Sequence, residues 1–131
     1  MDALLRRLVY RSRAVVPFLR DEIDALLHHA RSSNAIDGIS GLLWSDGTTF
    51  VQTLEGPQDS VRDAFDRISR DGRHHGIEIL SDQETMTRSF GTWYMAGSGL
   101  TGQPTDEATL ALAIRNAPDD VRSSYPAGGR D

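Results

Sequence analysis

Gln52 stands in FVQTLEG at residues 50–56, between Phe50 and Leu54. Side chains on a strand alternate faces, so these three share one side and Val51, Thr53 and Glu55 the other. An amide in such company needs partners, because a buried polar group without one costs on the order of 1–3 kcal/mol. Tyr10, in LVYRS at 8–12, shares parity with Leu8 and projects to the same side. Asn34 falls where a helical stretch ends and can aim its amide into the same space, while Trp93 and Met95 alternate together further on. Taken singly, each has a plain structural role: a wet phenol, a helix stop, a marginal strand glutamine, a core Trp and Met. Together, two amides and a phenol around an apolar gap could hold a flat heteroaromatic ring presenting carbonyl and N–H groups at its edge.

Other chemistry is poorly supported. The chain has no cysteine, which removes disulfides, thiol catalysis and cysteine-ligated metals together, so redox chemistry would need a bound cofactor. His28-His29 and His74-His75 are adjacent pairs whose side chains point apart on a helix or a strand, and no carboxylate spacing completes a metal site. There is no Walker loop and no G-x-S-x-G. In Asp71-Gly72-Arg73-His74, Arg73 could meet a cofactor phosphate, or Asp71 could simply fix it in the loop, and the latter is the better reading of these residues alone.

The elements that must position these residues follow from periodicity. Leu4 to Arg11 reads as a strand with Leu8 and Tyr10 on one face and Arg7, Val9 and Arg11 on the other. From Pro17 a helical stripe runs through Leu19, Ile23, Leu26, Leu27 and Ala30 and weakens at Ser32-Ser33. Residues 38–44 and 48–54 form a hairpin about Ser45-Asp46-Gly47. A second helix carries Val61, Ala64, Phe65 and Ile68, with Gly72 as its stop. Strands at 76–80 and 92–96 complete the order β-α-β-β-α-β-β. This is an α+β, ferredoxin-like sandwich, a mixed sheet with both helices on one face. The other face, carrying Val9, Val51 and Tyr94, needs a cover: a C-terminal helix, a partner subunit, or both. Gly97 to Pro104 reads as a linker, Thr105 as the cap of a short helix with Leu110, Ala111 and Ile114, and Pro118 to Asp131 as poorly ordered. The expected division is a ligand-binding domain over 1–97 and a linker, cap helix and disordered tail over 98–131.

A length of 131 residues suits one domain, and 38% hydrophobic with 25% charged residues suits a soluble one. The net charge of −5 argues against nucleic-acid binding by phosphate neutralisation. Arg6, Arg7, Arg11 and Arg13 are expected on a solvated strand face. No apolar run reaches membrane-spanning length and the start lacks a signal-peptide core, so a cytoplasmic protein without membrane contact is expected.

The segments LVYRS at 8–12, Asn34 with GISGLL at 38–43, FVQTLEG at 50–56, DGRHH at 71–75 and SFGTWYM at 89–95 together resemble the BLUF domain, the blue-light sensors using FAD. The resemblance covers residues 4–96 in the family's order. It implies a ferredoxin-like sheet with an isoalloxazine ring between the two helices. Gln52 resembles the light-switching glutamine, and Tyr10 the tyrosine that gives an electron and a proton to the excited flavin. Asn34 would bind the C4 carbonyl and N3–H edge, and Leu26 and Ile68 would clamp the ring's faces. Arg67, Arg73 and His74 match residues lining the cofactor's outer side. Trp93 and Met95 occupy the W-x-M positions, and Ser33 stands where members often carry a larger polar residue.

The resemblance thus implies a photoreceptor and not an enzyme, with FAD as cofactor and FMN or riboflavin as possible substitutes. Light would drive transfer from Tyr10, Gln52 would reorient or tautomerise, and the last strand would pass the signal through the C-terminal helix to an effector protein in trans. A homo-oligomer through the uncovered face or the cap helix is expected. The alternatives are a flavin-free ferredoxin-like interaction module and a small ferredoxin-like hydrolase, though no nucleophile with an adjacent base is visible.

Overall fold

A computed structural model describes residues 4–90, 94–98 and 114–126. Its elements are β1 (Leu5–Ala14), α1 (Arg20–Asp37), β2 (Ser40–Ser45), β3 (Thr49–Pro57), α2 (Gln58–Ser69), β4 (His74–Thr85), β5 (Tyr94–Ser98) and α3 (Asp119–Arg122). The strands form one sheet in the order β4-β1-β3-β2-β5, antiparallel throughout except for β2 and β5. That is the ferredoxin-like split βαβ order with one strand added beside β2, as the periodicity predicts.

The β1–β3 register sets Leu8 opposite Leu54 and Tyr10 opposite Gln52. It places Leu8, Tyr10, Phe50 and Leu54 on one face, where they pack with Ile39, Leu43, Val61 and Ala64. Helix α1 lies over β2 and β5, and α2 over β1 and β3. Helix α1 runs past Ser33 to Asp37, because the stop is Gly38, whose φ of 71° suits the left-handed cap. The N–H groups of Gly38 and Ile39 then both donate to Asn34 O. Gly56 is required for a different reason: a Cβ there would lie 2.7 Å from Gly38 O, so β3 and the α1–β2 corner could not approach.

Strand β4 exceeds its predicted bounds and helix α2 falls short of its own. Strand β4 spans Thr85 rather than ending at Leu80, because its polar half pairs with β1 through Leu8 opposite Asp82 and Arg6 opposite Glu84. Edge-strand pairing is a backbone matter and does not need apolar alternation, and Arg6–Asp82 and Arg11–Glu78 ion pairs line the exposed surface. Helix α2 ends at Ser69 with Arg70 as its cap, two residues before the glycine expected to stop it.

The far face corrects two expectations. Residues 118–126, read from sequence as poorly ordered, form α3 and a following turn, with Val121 and Tyr125 fully buried. They join Val9, Leu42, Val51, Phe90 and Ile114 in a second core. The chain's own C-terminal segment therefore supplies the first of the covers expected for Val9 and Val51. Arg7, read as solvated, is 5% exposed and bonds Asp120, which also accepts from Ser81 Oγ. Removing one partner of such a pair costs on the order of 3–5 kcal/mol, because the other charge is left buried. Gly97 and Ser98, expected to open the linker, are instead the end of β5 and pair with Leu43 and Trp44. The side chain of Tyr94, the rest of the linker and the helix expected after Thr105 lie outside the described residues, apart from Ile114.

Candidate functional site

Between α1 and α2, above β1 and β3, lies a pocket of about 250 Å³. Tyr10, Leu26, Asn34, Gln52, Arg67, Ile68, Arg73 and His74 all line it, so the eight residues singled out as cofactor-binding come together in one place. Trp93 lies outside the described residues. Met95 is placed by its backbone alone, on β5 at the sheet edge, with β2 between it and the strand of Gln52.

The floor of the pocket is the Tyr10–Gln52 pair. The two residues face each other across the β1–β3 ladder, and the Tyr10 Oη–H donates to Gln52 Oε1 at 2.5 Å. Since Oε1 accepts from the phenol, the NH₂ end of the amide is directed away from it. Both residues are buried, at 4% and 5% exposure. Burial pushes the Tyr10 phenol well above its ordinary pKa, and the Asp71 charge adds to this, so the hydroxyl stays protonated and donates. Phe65 packs edge-on against the Tyr10 ring at 5.6 Å and fixes its plane.

Asn34 comes from the last turn of α1 and is 5% exposed. Its backbone carbonyl is engaged by the two cap N–H groups, which locks the turn and aims the amide at the pocket beside Ser33. Leu26 on α1 and Ile68 on α2 form apolar walls, and Ala30 and Ala64 are small enough to leave a slit between the helices. Asn34→Ala removes a polar edge contact without touching the Tyr10–Gln52 pair. Flavin is expected to be retained about tenfold less tightly, the scale of a buried hydrogen bond to a ligand, with the light response of loaded protein preserved. Equilibrium dialysis of the bound flavin checks this.

The mouth is built by charge. Asp71 accepts from the backbone N and the guanidinium of Arg73, the reading that sequence favoured. Those bonds hold the Asp71 carboxyl at about 2, so the stability the pair contributes is present above the ordinary 3.8 and lost as the pH falls toward 2. The Arg73 guanidinium also lies 5.9 Å from the Phe18 ring centre, and Phe18 stands edge-on to Phe50. Arg67 is 3.7 Å from Asp37.

His74 lines the pocket in a more structural way than expected. Its Nε2 lies 2.6 Å from Ile68 O, which only accepts, so Nε2–H is the donor; Nδ1 lies 2.7 Å from Ser12 Oγ. Both ring nitrogens are thus engaged, and the imidazole ties the end of α2 to β1. Ser12, buried and on the Tyr10 face of β1, was readable from its parity alone.

Glu55 lies on β3 three residues beyond Gln52. It is fully buried. Its carboxylate accepts from Ser40 Oγ at 2.9 Å, Phe90 N at 2.6 Å and Ser89 N at 2.7 Å, which satisfies the charge and pins the segment leading toward residues 91–95. Arg88 closes the same corner by donating to Ser40 Oγ, Glu55 O and Gly38 O.

These residues suit a flavin ring. An apolar slit ends in two amides able to complement a carbonyl and N–H edge, a phenol stands behind one of them, and arginines stand at the mouth. Comparisons with known proteins agree. The photoactivated adenylate cyclase subunit beta of Euglena gracilis is 41% identical over 79 residues, covering 60% of this chain and 9% of that protein. The blue light- and temperature-regulated antirepressor BluF of Escherichia coli (strain K12) is 31% identical over 93 residues, covering 67% of this chain and 22% of that one. The chain therefore spans only a small part of the length of these relatives. The solved dark-state structure of BlrB, a BLUF protein, superposes with a TM-score of 0.70 at 33% identity, covering 92% of this chain and 91% of that one. The sequence model of the family described as sensors of blue light using FAD matches residues 5–96, and with the 4-1-3-2 sheet and the Tyr10–Gln52 pair in place, this chain belongs to the BLUF family.

Proposed function

We propose that the chain acts as a blue-light photoreceptor whose switch is the Tyr10–Gln52 pair, with residues 1–97 as the flavin-binding domain and 98–131 as its signalling appendage. The observation that carries this reading is the buried hydrogen bond from Tyr10 Oη to Gln52 Oε1 in the wall of the pocket. The family's cofactor is FAD and its domain is a sensor, which relatives such as the Euglena gracilis cyclase carry within an enzyme. Asn34 and Gln52 would hold the ring edge, Leu26 and Ile68 its faces, and Arg67 and Arg73 the charged outer part of the cofactor. When bound, the flavin supplies absorption of blue light and an excited state that draws an electron from a nearby phenol.

Tyr10 is that phenol. Burial disfavours a phenolate at this position, so its proton would move only together with the electron, along the hydrogen bond to Gln52 Oε1, and would return with it. The amide can settle afterwards with donor and acceptor ends exchanged, or as its tautomer, because it carries a separate donor and acceptor on one group that can turn over. A separate effector protein reads the difference.

The protein should be yellow as purified. Blue light should shift its absorption reversibly to the red, and heat or acid should release all the colour, since the chain has no cysteine for a thioether link. A protein that stays colourless after incubation with FAD overturns the reading in favour of a flavin-free interaction module.

A further inference from the structure

Directly beneath the switch, on the far face of the sheet, a second phenol is hydrogen-bonded. Leu43 pairs with Gln52, and the neighbouring pair on the same two strands is Leu42 with Thr53. Tyr125 Oη lies 2.9 Å from Leu42 O and 2.8 Å from Thr53 Oγ1. The carbonyl can only accept, so the Tyr125 hydroxyl gives its proton to Leu42 O and receives that of Thr53. The result is a directed chain, Thr53 Oγ1–H to Tyr125 Oη–H to Leu42 O, which bridges β3 and β2 one residue from Gln52.

The phenol cannot slip to water, being 1% exposed, and burial keeps it protonated and donating. The segment that carries it is held independently by Val121, Ile114 and the Asp120–Arg7 pair.

Resting on the light-switch reading above, we propose that Tyr125 is a positioning residue for that switch: its hydroxyl clamps Thr53 to Leu42 under Gln52 and couples residues 114–126 to the two states of the amide. The route is through β3 and β2, and it adds to any route through the last strand. Coupling of this kind is reciprocal in free energy, so a segment that feels the amide also biases the balance of its two states, and a clamp that holds the switched state slows its return by raising the barrier.

The test uses the full-length FAD-loaded protein with three variants. Tyr125→Phe keeps the ring and removes the hydroxyl, Thr53→Val keeps the shape and removes the donor, and Val121→Ala loosens the segment while leaving the hydroxyl chain intact. Three quantities are read: the amplitude of the red shift, its dark-recovery rate, and the light-minus-dark difference in amide hydrogen exchange over residues 114–126. Wild type should show the shift and an exchange difference. Tyr125→Phe and Thr53→Val should keep the full amplitude, recover faster by roughly fivefold or more, the lower range for coupled sites, and lose the exchange difference. Val121→Ala should raise exchange in light and dark alike with recovery near wild type, which a merely structural role for Tyr125 would not separate from the other two.

Wild-type recovery and an intact exchange difference in Tyr125→Phe overturn the proposal, and if that variant does not fold, the same result in Thr53→Val does so. A wild-type protein that shifts in light without any exchange difference overturns the proposal alone. A wild-type protein with bound FAD and no red shift overturns the light-switch reading along with it.

Discussion

Gln52→Leu should abolish the light-induced red shift while flavin remains bound. Leucine fills much of the glutamine's volume in a pocket whose walls are mostly apolar, so the slit keeps its shape. What it removes is the acceptor of the Tyr10 proton and the amide whose donor and acceptor ends can exchange. The variant also leaves the buried Tyr10 hydroxyl without its glutamine partner, a cost of about 1–3 kcal/mol that should appear as a lower melting temperature. The measurement is the difference spectrum at saturating blue light, with flavin content determined on the same sample. A yellow Gln52→Leu protein with an unaltered, reversible shift would sink the switch assignment even with fold and cofactor intact. Because Asn34→Ala is expected to act on retention and not on the shift, the two variants separate binding from switching.

Much of this arrangement is legible in the sequence because strand parity is a strong constraint. Leu8, Tyr10, Phe50, Gln52 and Leu54 share a face only where a one-residue slip is excluded, and the observed register keeps them together. Helices α1 and α2 follow from apolar stripes that must lie on that face. Where the apolar signal fades, the reading falls short. The second half of β4 is polar and carries no strand periodicity, since its stabilisation comes from ladder pairing with β1 and from the Arg6–Asp82 ion pair.

The C-terminal segment shows the same limit in another form. Its burial rests on few apolar residues, Ile114, Val121 and Tyr125, set among charges and serines. Two of its decisive contacts are polar and long-range: Asp120 to Arg7 and Tyr125 to Thr53 and Leu42. Pro118 followed by two aspartates is nevertheless a helix-start signal, and it was available. Arg7 was misread for the complementary reason: a charge on a strand reads as solvated unless its partner, far away in sequence, is known. His74 and Glu55 are similar, because nothing local in DGRHH or LEGP says that the imidazole will clip Ser12 to Ile68, or that the carboxylate will hold residues 89 and 90.

Tyr10→Phe should leave a yellow protein whose yield of red-shifted state per absorbed photon falls by about 10² or more, the scale of losing a positioned proton-transfer group. Phenylalanine keeps the ring and its edge-on packing with Phe65, so the wall is preserved and flavin content should be near wild type. The missing atom is Oη, which carries the proton donated to Gln52 Oε1. Without it, an electron could leave the ring only by creating a buried cation with no proton to shed, and burial in this site already raises the cost of charge on the phenol. The excited flavin should therefore persist, and its fluorescence should strengthen and lengthen relative to wild type. Gln52→Leu differs here: the phenol that gives up the electron is kept, so quenching should persist in part although its proton acceptor is gone, and no shifted state accumulates. Time-resolved fluorescence on the two variants thus distinguishes donor from switch. Equal fluorescence lifetimes in wild type and Tyr10→Phe would show that Tyr10 is not the electron donor, whatever happens to the red shift.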